Sequence, residues 1–116
     1  MGTVTNKAEL LERFAEHPEL LGELAAIFLE DAPIRLAAIQ AGVQQRDPAA
    51  LQAAAHALRG SAANFGATLV VDAALKLELM GRSCDLAGVD EAFADMMVTM
   101  GKLTVELGAL VGKKST

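Results

Sequence analysis

Tryptophan and tyrosine are missing from this 116-residue chain, and four phenylalanines are its only aromatic residues. A core has to be packed from Leu, Ala, Val, Ile and Met, which dominate a composition that is 53% hydrophobic. Cations are also short: ten Lys and Arg stand against fifteen Asp and Glu, for a net charge of −5. Without a basic patch there is little to neutralise phosphates, the main source of nucleic-acid affinity, so DNA and RNA are excluded as partners. The single cysteine, Cys84, cannot form an internal disulfide and has no Cys or His neighbours at zinc-ligand spacing. No metal-ligand cluster and no Gly-rich nucleotide loop appear, so neither a metal nor a nucleotide cofactor is expected. No charge-free apolar run reaches the roughly 18 residues of a membrane span. The opening "MGTVTNKAELLER" lacks the apolar centre of a signal peptide. These absences lead to the expectation of a reduced, cytoplasmic domain without a membrane anchor.

What is present is helical. Ala and Leu are strong helix formers, and β-branched residues do not alternate as they would in half-buried strands. One compact domain over residues 1–116 suits this length, with a frayed tail at about 113–116. Asn6 and Glu9 have capping-box spacing and open a short helix that ends near His17-Pro18. Leu20, Leu21, Leu24, Ile27 and Phe28 continue in helical spacing. Pro33 should kink or interrupt this segment before Leu36, Ile39 and Val43 resume it. Asp47 is a good N-cap and Pro48 suits a first turn, so a third helix runs from Pro48 to about Asn64. Gly66 breaks it. Thr68 can cap a fourth helix reaching Gly81 or Arg82, and Asp90 a fifth ending near Gly112. Short connections between long amphipathic helices predict an all-α, antiparallel up-and-down four-helix bundle with a short extra N-terminal helix. A bundle that buries its own core is expected to be a monomer.

The third helix carries the histidine that raises the question of function. Leu51, Ala55, Leu58, Ala62 and Phe65 form its apolar stripe, and His56 lies roughly 140° round from the centre of that stripe. Ala49, Ala53, Gly60 and Ala63 share the outer face with it, where a solvated helix normally carries Lys and Glu. Gly60 inside a helix costs about 1 kcal/mol relative to Ala. The ring therefore stands proud on a smooth surface suited to another protein's approach, with Arg59 one step away. An Ala-rich helix that happens to include a surface histidine would look the same by spacing alone.

The wording of the stretch goes further. "AHALRGSAANFGA" resembles the signature of the histidine-containing phosphotransfer (HPt) domain of bacterial two-component signalling. The match runs through His56, Leu58, Arg59, Gly60, Ser61, Ala62, Gly66 and Ala67, with Arg59 where lysine is commoner. "FLEDAPIRLAAI" and "LKLELMGR" resemble the helices before and after it, so most of residues 18–88 are covered. The resemblance implies that His56 takes a phosphoryl group from the aspartyl phosphate of one response-regulator receiver domain and passes it to the aspartate of another. A neutral imidazole nitrogen is a nucleophile near pH 7. The acidic pocket and Mg²⁺ would belong to the receiver. A sensor or hybrid histidine kinase is the other implied partner.

The same likeness implies that Arg59 pairs with phosphoryl oxygens, that Gly60 leaves room for the receiver, and that Glu78 holds the Nδ1–H of His56 so that Nε2 can attack. Leu69, Ala73, Leu77 and Met80 read as the core stripe of the fourth helix, with Val71, Leu75, Glu78 and Arg82 off it. Ala53, Gly60, Ala63, Val71, Leu75 and Arg82 are then the candidate docking residues. A solvated Glu78–Arg82 ion pair is the plainer alternative. Two other functions stay open: a helical adaptor that never carries phosphate, and the phosphotransfer domain of a chemotaxis-type kinase. His17, Cys84 and the methionines Met96, Met97 and Met100 carry no motif; the methionines read as core filler.

Overall fold

The computed structural model describes residues 5–112. Among these described residues five helices follow in order: α1 (Lys7–Arg13), α2 (Pro18–Gln44), α3 (Pro48–Ala63), α4 (Thr68–Ser83) and α5 (Val89–Gly112). There is no strand among the described residues. The expected frayed tail falls outside them. Asn6 caps α1 by accepting from the Glu9 N–H at 3.1 Å, and Asp47 caps α3 by accepting from Ala50 N–H at 3.2 Å.

Neighbouring long helices run antiparallel. Gly42, near the end of α2, lies against Leu51 near the start of α3. Gly81, near the end of α4, lies against Pro48 and Gln52. Arg46, in the α2–α3 turn, pairs with Asp90 at the start of α5 at 2.8 Å. The ends of α2 and α4 and the starts of α3 and α5 thus share one end of an up-and-down bundle. α1 sits at the opposite end, where Arg13 donates to the Asn64 carbonyl at 2.7 Å and Leu10 is buried.

The core is aliphatic, as the missing aromatics require. Leu51, Ala55, Leu58 and Ala62 of α3 are fully buried, with Phe65 edge-on to Phe28 at a ring separation of 5.4 Å. Met96 and Met100 fill the centre of α5, while Met97 is exposed.

Four local expectations are corrected. Pro33 does not interrupt α2, which runs unbroken through it. The missing N–H costs one backbone bond, but buried Phe28, Ala32 and Ile39 anchor the helix on both sides. Thr68 is the first residue of α4 rather than its cap, and Ala67 takes the N-cap place without a side-chain bond. Asp90 lies within the first turn of α5, with its carboxylate on Arg46. Finally, α4 is rotated from the expected stripe: it buries Val70, Ala74, Leu77, Glu78 and Gly81, whereas Leu69 is exposed. The bare Gly81 faces α3 and lets the two backbones close, and that contact sets the rotation.

Candidate functional site

Two devices build the site. The Asp47 cap and Pro48 start α3 so that its alanine-leucine stripe faces inward, which leaves the His56 side chain 65% exposed. The second is the close approach of α4 at Gly81. Glu78 lies three residues before that glycine and so shares its face of α4. It is swung inward until only 2% of it is exposed.

The buried carboxylate gathers its surroundings. Glu78 Oε2 is 2.9 Å from His56 Nδ1. Arg59 donates from Nε to Glu78 Oε1 at 2.6 Å and from Nη2 to Oε2 at 3.3 Å. Arg82, one turn along α4, brings Nη2 to 3.7 Å from Oε2. A carboxylate this buried is stable only when paired and hydrogen-bonded. The Arg59 hydrogen bond above all, joined by that from His56, holds the Glu78 carboxyl below its ordinary value, against the opposing pull of burial. The same bond raises Arg59 further above its already high value.

Ionised Glu78 only accepts. Its 2.9 Å contact with Nδ1 is therefore a hydrogen bond when Nδ1 carries the proton, and the neutral ring then has a bare Nε2. Arg59 Nη2 also lies 3.0 Å from Nδ1, but it would donate there only to the opposite tautomer. The arrangement is able to present an unprotonated, solvent-facing imidazole nitrogen on a helix flank.

Of the residues singled out by sequence, the fold brings His56, Arg59, Glu78 and Arg82 into one cluster. Ala53, Gly60 and Ala63 are exposed on the outer face of α3, and a Cβ built at Gly60 would meet nothing within 4 Å. Val71 and Leu75 are half-buried, Val71 against the core, so they offer less surface than expected. Sequence reasoning missed two features. Gln52, one turn before His56, lines a shallow cup with Ala49, Ala53, His56, Glu78 and Arg82. Ile27 and Ile34 are 55% and 71% exposed on α2, although Ile27 shares the helical spacing of the apolar residues there. By helical rotation they lie on the side of α2 turned toward α3, outward of Gly42. Their seven-residue recurrence beside the buried Ala25, Phe28 and Ala32 was the available signal.

The depressed Glu78 pKa has a consequence for stability. The unfolded carboxyl titrates near its ordinary 4.5 and the folded one lower. Below about that pH the unfolded chain binds a proton the folded one refuses, so the contribution is present above 4.5 and lost as pH falls through the folded value. Urea midpoints between pH 7 and pH 3 should fall more steeply for the native chain than for Glu78→Gln. Parallel curves would mean that the carboxylate is not differentially stabilised.

A family model, described as the Hpt domain, matches residues 23–111. The helical bundle and the match over most of the chain define a phosphorelay module: the protein belongs to the Hpt domain family. Membership supports a histidine phosphotransfer role in a phosphorelay generally, a setting in which Hpt domains interact with receiver domains and kinases. No curated protein and no solved structure matches the chain. No helix among the described residues is long and apolar enough to cross a membrane.

Proposed function

We propose that His56 is the phosphoryl acceptor and that the domain relays the group between receiver aspartates. One observation carries this reading: the exposed ring has its Nδ1 2.9 Å from Oε2 of the buried Glu78. In this reading Nδ1 carries the proton toward the carboxylate and Nε2 is left bare. The Nε2 lone pair attacks the phosphorus of an aspartyl phosphate. An N–P bond forms as the acyl P–O bond breaks, and the electron pair leaves with the carboxylate. Because the ring proton stays on Nδ1, no base is needed. Glu78 fixes that tautomer, and the imidazolium character that develops on phosphorylation is stabilised by the adjacent negative charge.

The flat face of Ala53, Gly60 and Ala63 gives a receiver close access to the ring, with Ile27 and Ile34 exposed on the neighbouring helix. Receiver domains and a sensor or hybrid kinase are the partners in this reading, with a cytoplasmic, monomeric bundle.

The test is to incubate the protein with radiolabelled phospho-receivers and to map the label. Label that is lost in acid, kept in alkali and found on the peptide containing His56 is the expected result. Acid-stable label, or label elsewhere, would overturn the assignment. Receiver binding with no transfer from any donor would make the domain an adaptor.

A further inference from the structure

The relay reading leaves open which cation receives the phosphoryl oxygens. We infer that Arg82, with Gln52, forms the phosphoryl-binding cup on α3 and α4, and that Arg59 is a positioning residue that holds Glu78. The inference rests on His56 being the acceptor.

Geometry separates the two arginines. Arg59 sits on the Nδ1 side of the ring, with Nη2 3.0 Å from that nitrogen and both Nε and Nη2 on Glu78. Its side chain is only 31% exposed. To reach a group on Nε2 it would have to release a 2.6 Å bond to a buried carboxylate and leave that charge without its main partner.

Arg82 is differently placed. Its side chain is 62% exposed, and its one contact with Glu78 is long, at 3.7 Å. The cup beside the ring is lined by Ala49, Gln52, Ala53, His56, Glu78 and Arg82, and not by Arg59. Its volume of about 450 Å³ far exceeds the few water volumes, roughly 30 Å³ each, that a phosphoryl group displaces. The alanines keep it open. The Gln52 amide has no hydrogen-bond partner among the described residues and is free to donate.

Charge agrees with this division. Arg59 neutralises Glu78 directly, so the Arg82 cation remains for an incoming dianion. A guanidinium with two parallel donors suits phosphoryl oxygens.

The experiment needs no receiver. In a His17→Gln background, which leaves His56 as the only imidazole, the protein is phosphorylated with phosphoramidate. Nε2 bonds to phosphorus as the P–N bond of the reagent breaks, and the electron pair leaves on ammonia. The second ionisation of the phosphoryl group is then followed by ³¹P NMR, with circular dichroism checking the fold.

Arg82→Gln should raise that pKa by about one unit, in line with losing a cation at close range. Arg82→Lys should restore most of the shift. Arg59→Gln should leave the phosphoryl titration in place while changing the imidazole ¹⁵N tautomer pattern before phosphorylation. An unchanged titration in Arg82→Gln, or a larger shift in Arg59→Gln, would overturn the assignment and leave His56 as acceptor. If the wild-type chain takes no phosphoryl group from either phosphoramidate or phospho-receivers, the relay reading falls and the cup with it.

Discussion

A His56→Gln variant should accept no phosphoryl group from any receiver, down to the detection limit, while melting within a few degrees of the wild type. The lone pair of an amide nitrogen is delocalised into its carbonyl, so glutamine offers no nucleophile in place of Nε2. The structural cost is small for three reasons. The ring is largely exposed, glutamine is a good helix former, and Glu78 keeps both Arg59 bonds when the imidazole is gone. The lost hydrogen bond contributes about 1 kcal/mol net, and glutamine can replace part of it. His17 offers no substitute. It lies in the α1–α2 junction, 70% exposed, with only a 3.9 Å approach to Glu19 beside it. Label transfer and thermal melts on the same samples check both halves. Residual acid-labile label in a folded variant would put the acceptor elsewhere.

The second large effect concerns a residue that touches neither ring nor phosphate. Gly81→Val should lower the melting temperature by about 10 °C or more. A Cβ there would lie 2.6 Å from the Pro48 carbonyl oxygen and 2.8 Å from Gln52 N, both backbone atoms that cannot swing aside. α4 would have to move off α3, and overpacking of this kind costs about 3 kcal/mol or more once the branched methyls are added. For a domain near 100 residues each kcal/mol is worth about 4 °C. The damage should reach the site, because Glu78 is delivered to His56 by the same helix approach. A folded remnant should therefore be a poor phosphoryl acceptor.

Gly60 is the contrast. Open space surrounds it, so Gly60→Ala should stabilise α3 by up to about 1 kcal/mol. If a receiver docks there, the same change should slow transfer from it. A Gly81→Val protein that melts with the wild type would show that α3 and α4 do not need their close approach.

Much of this molecule was legible in one dimension. Asn6 and Asp47 cap as their spacing requires, because an N-cap bond is local and spans three residues. The α3 stripe from Leu51 to Phe65 and the outward His56 follow from helical periodicity. The resemblance read around His56 agrees with the family model that matches residues 23–111. The α4 stripe is not legible in this way. Leu69, Val70 and Val71 are all apolar, and periodicity cannot choose among adjacent apolar positions; only the Gly81 contact with α3 fixes the rotation. Ile27 and Phe28 both fit the α2 spacing, and only the packed bundle decides that Phe28 is buried and Ile27 exposed.

The sequence alone therefore determined the helices, their order and the residue that stands out from them, since caps, breakers and a 3.6-residue period act locally. Tertiary structure decided how far α4 turns about its own axis. That rotation buries Glu78, commits Arg59 to it, and leaves Arg82 and Gln52 around a cup at the ring. The deciding quantity is the distance between two helix backbones at Gly81, which no single segment encodes.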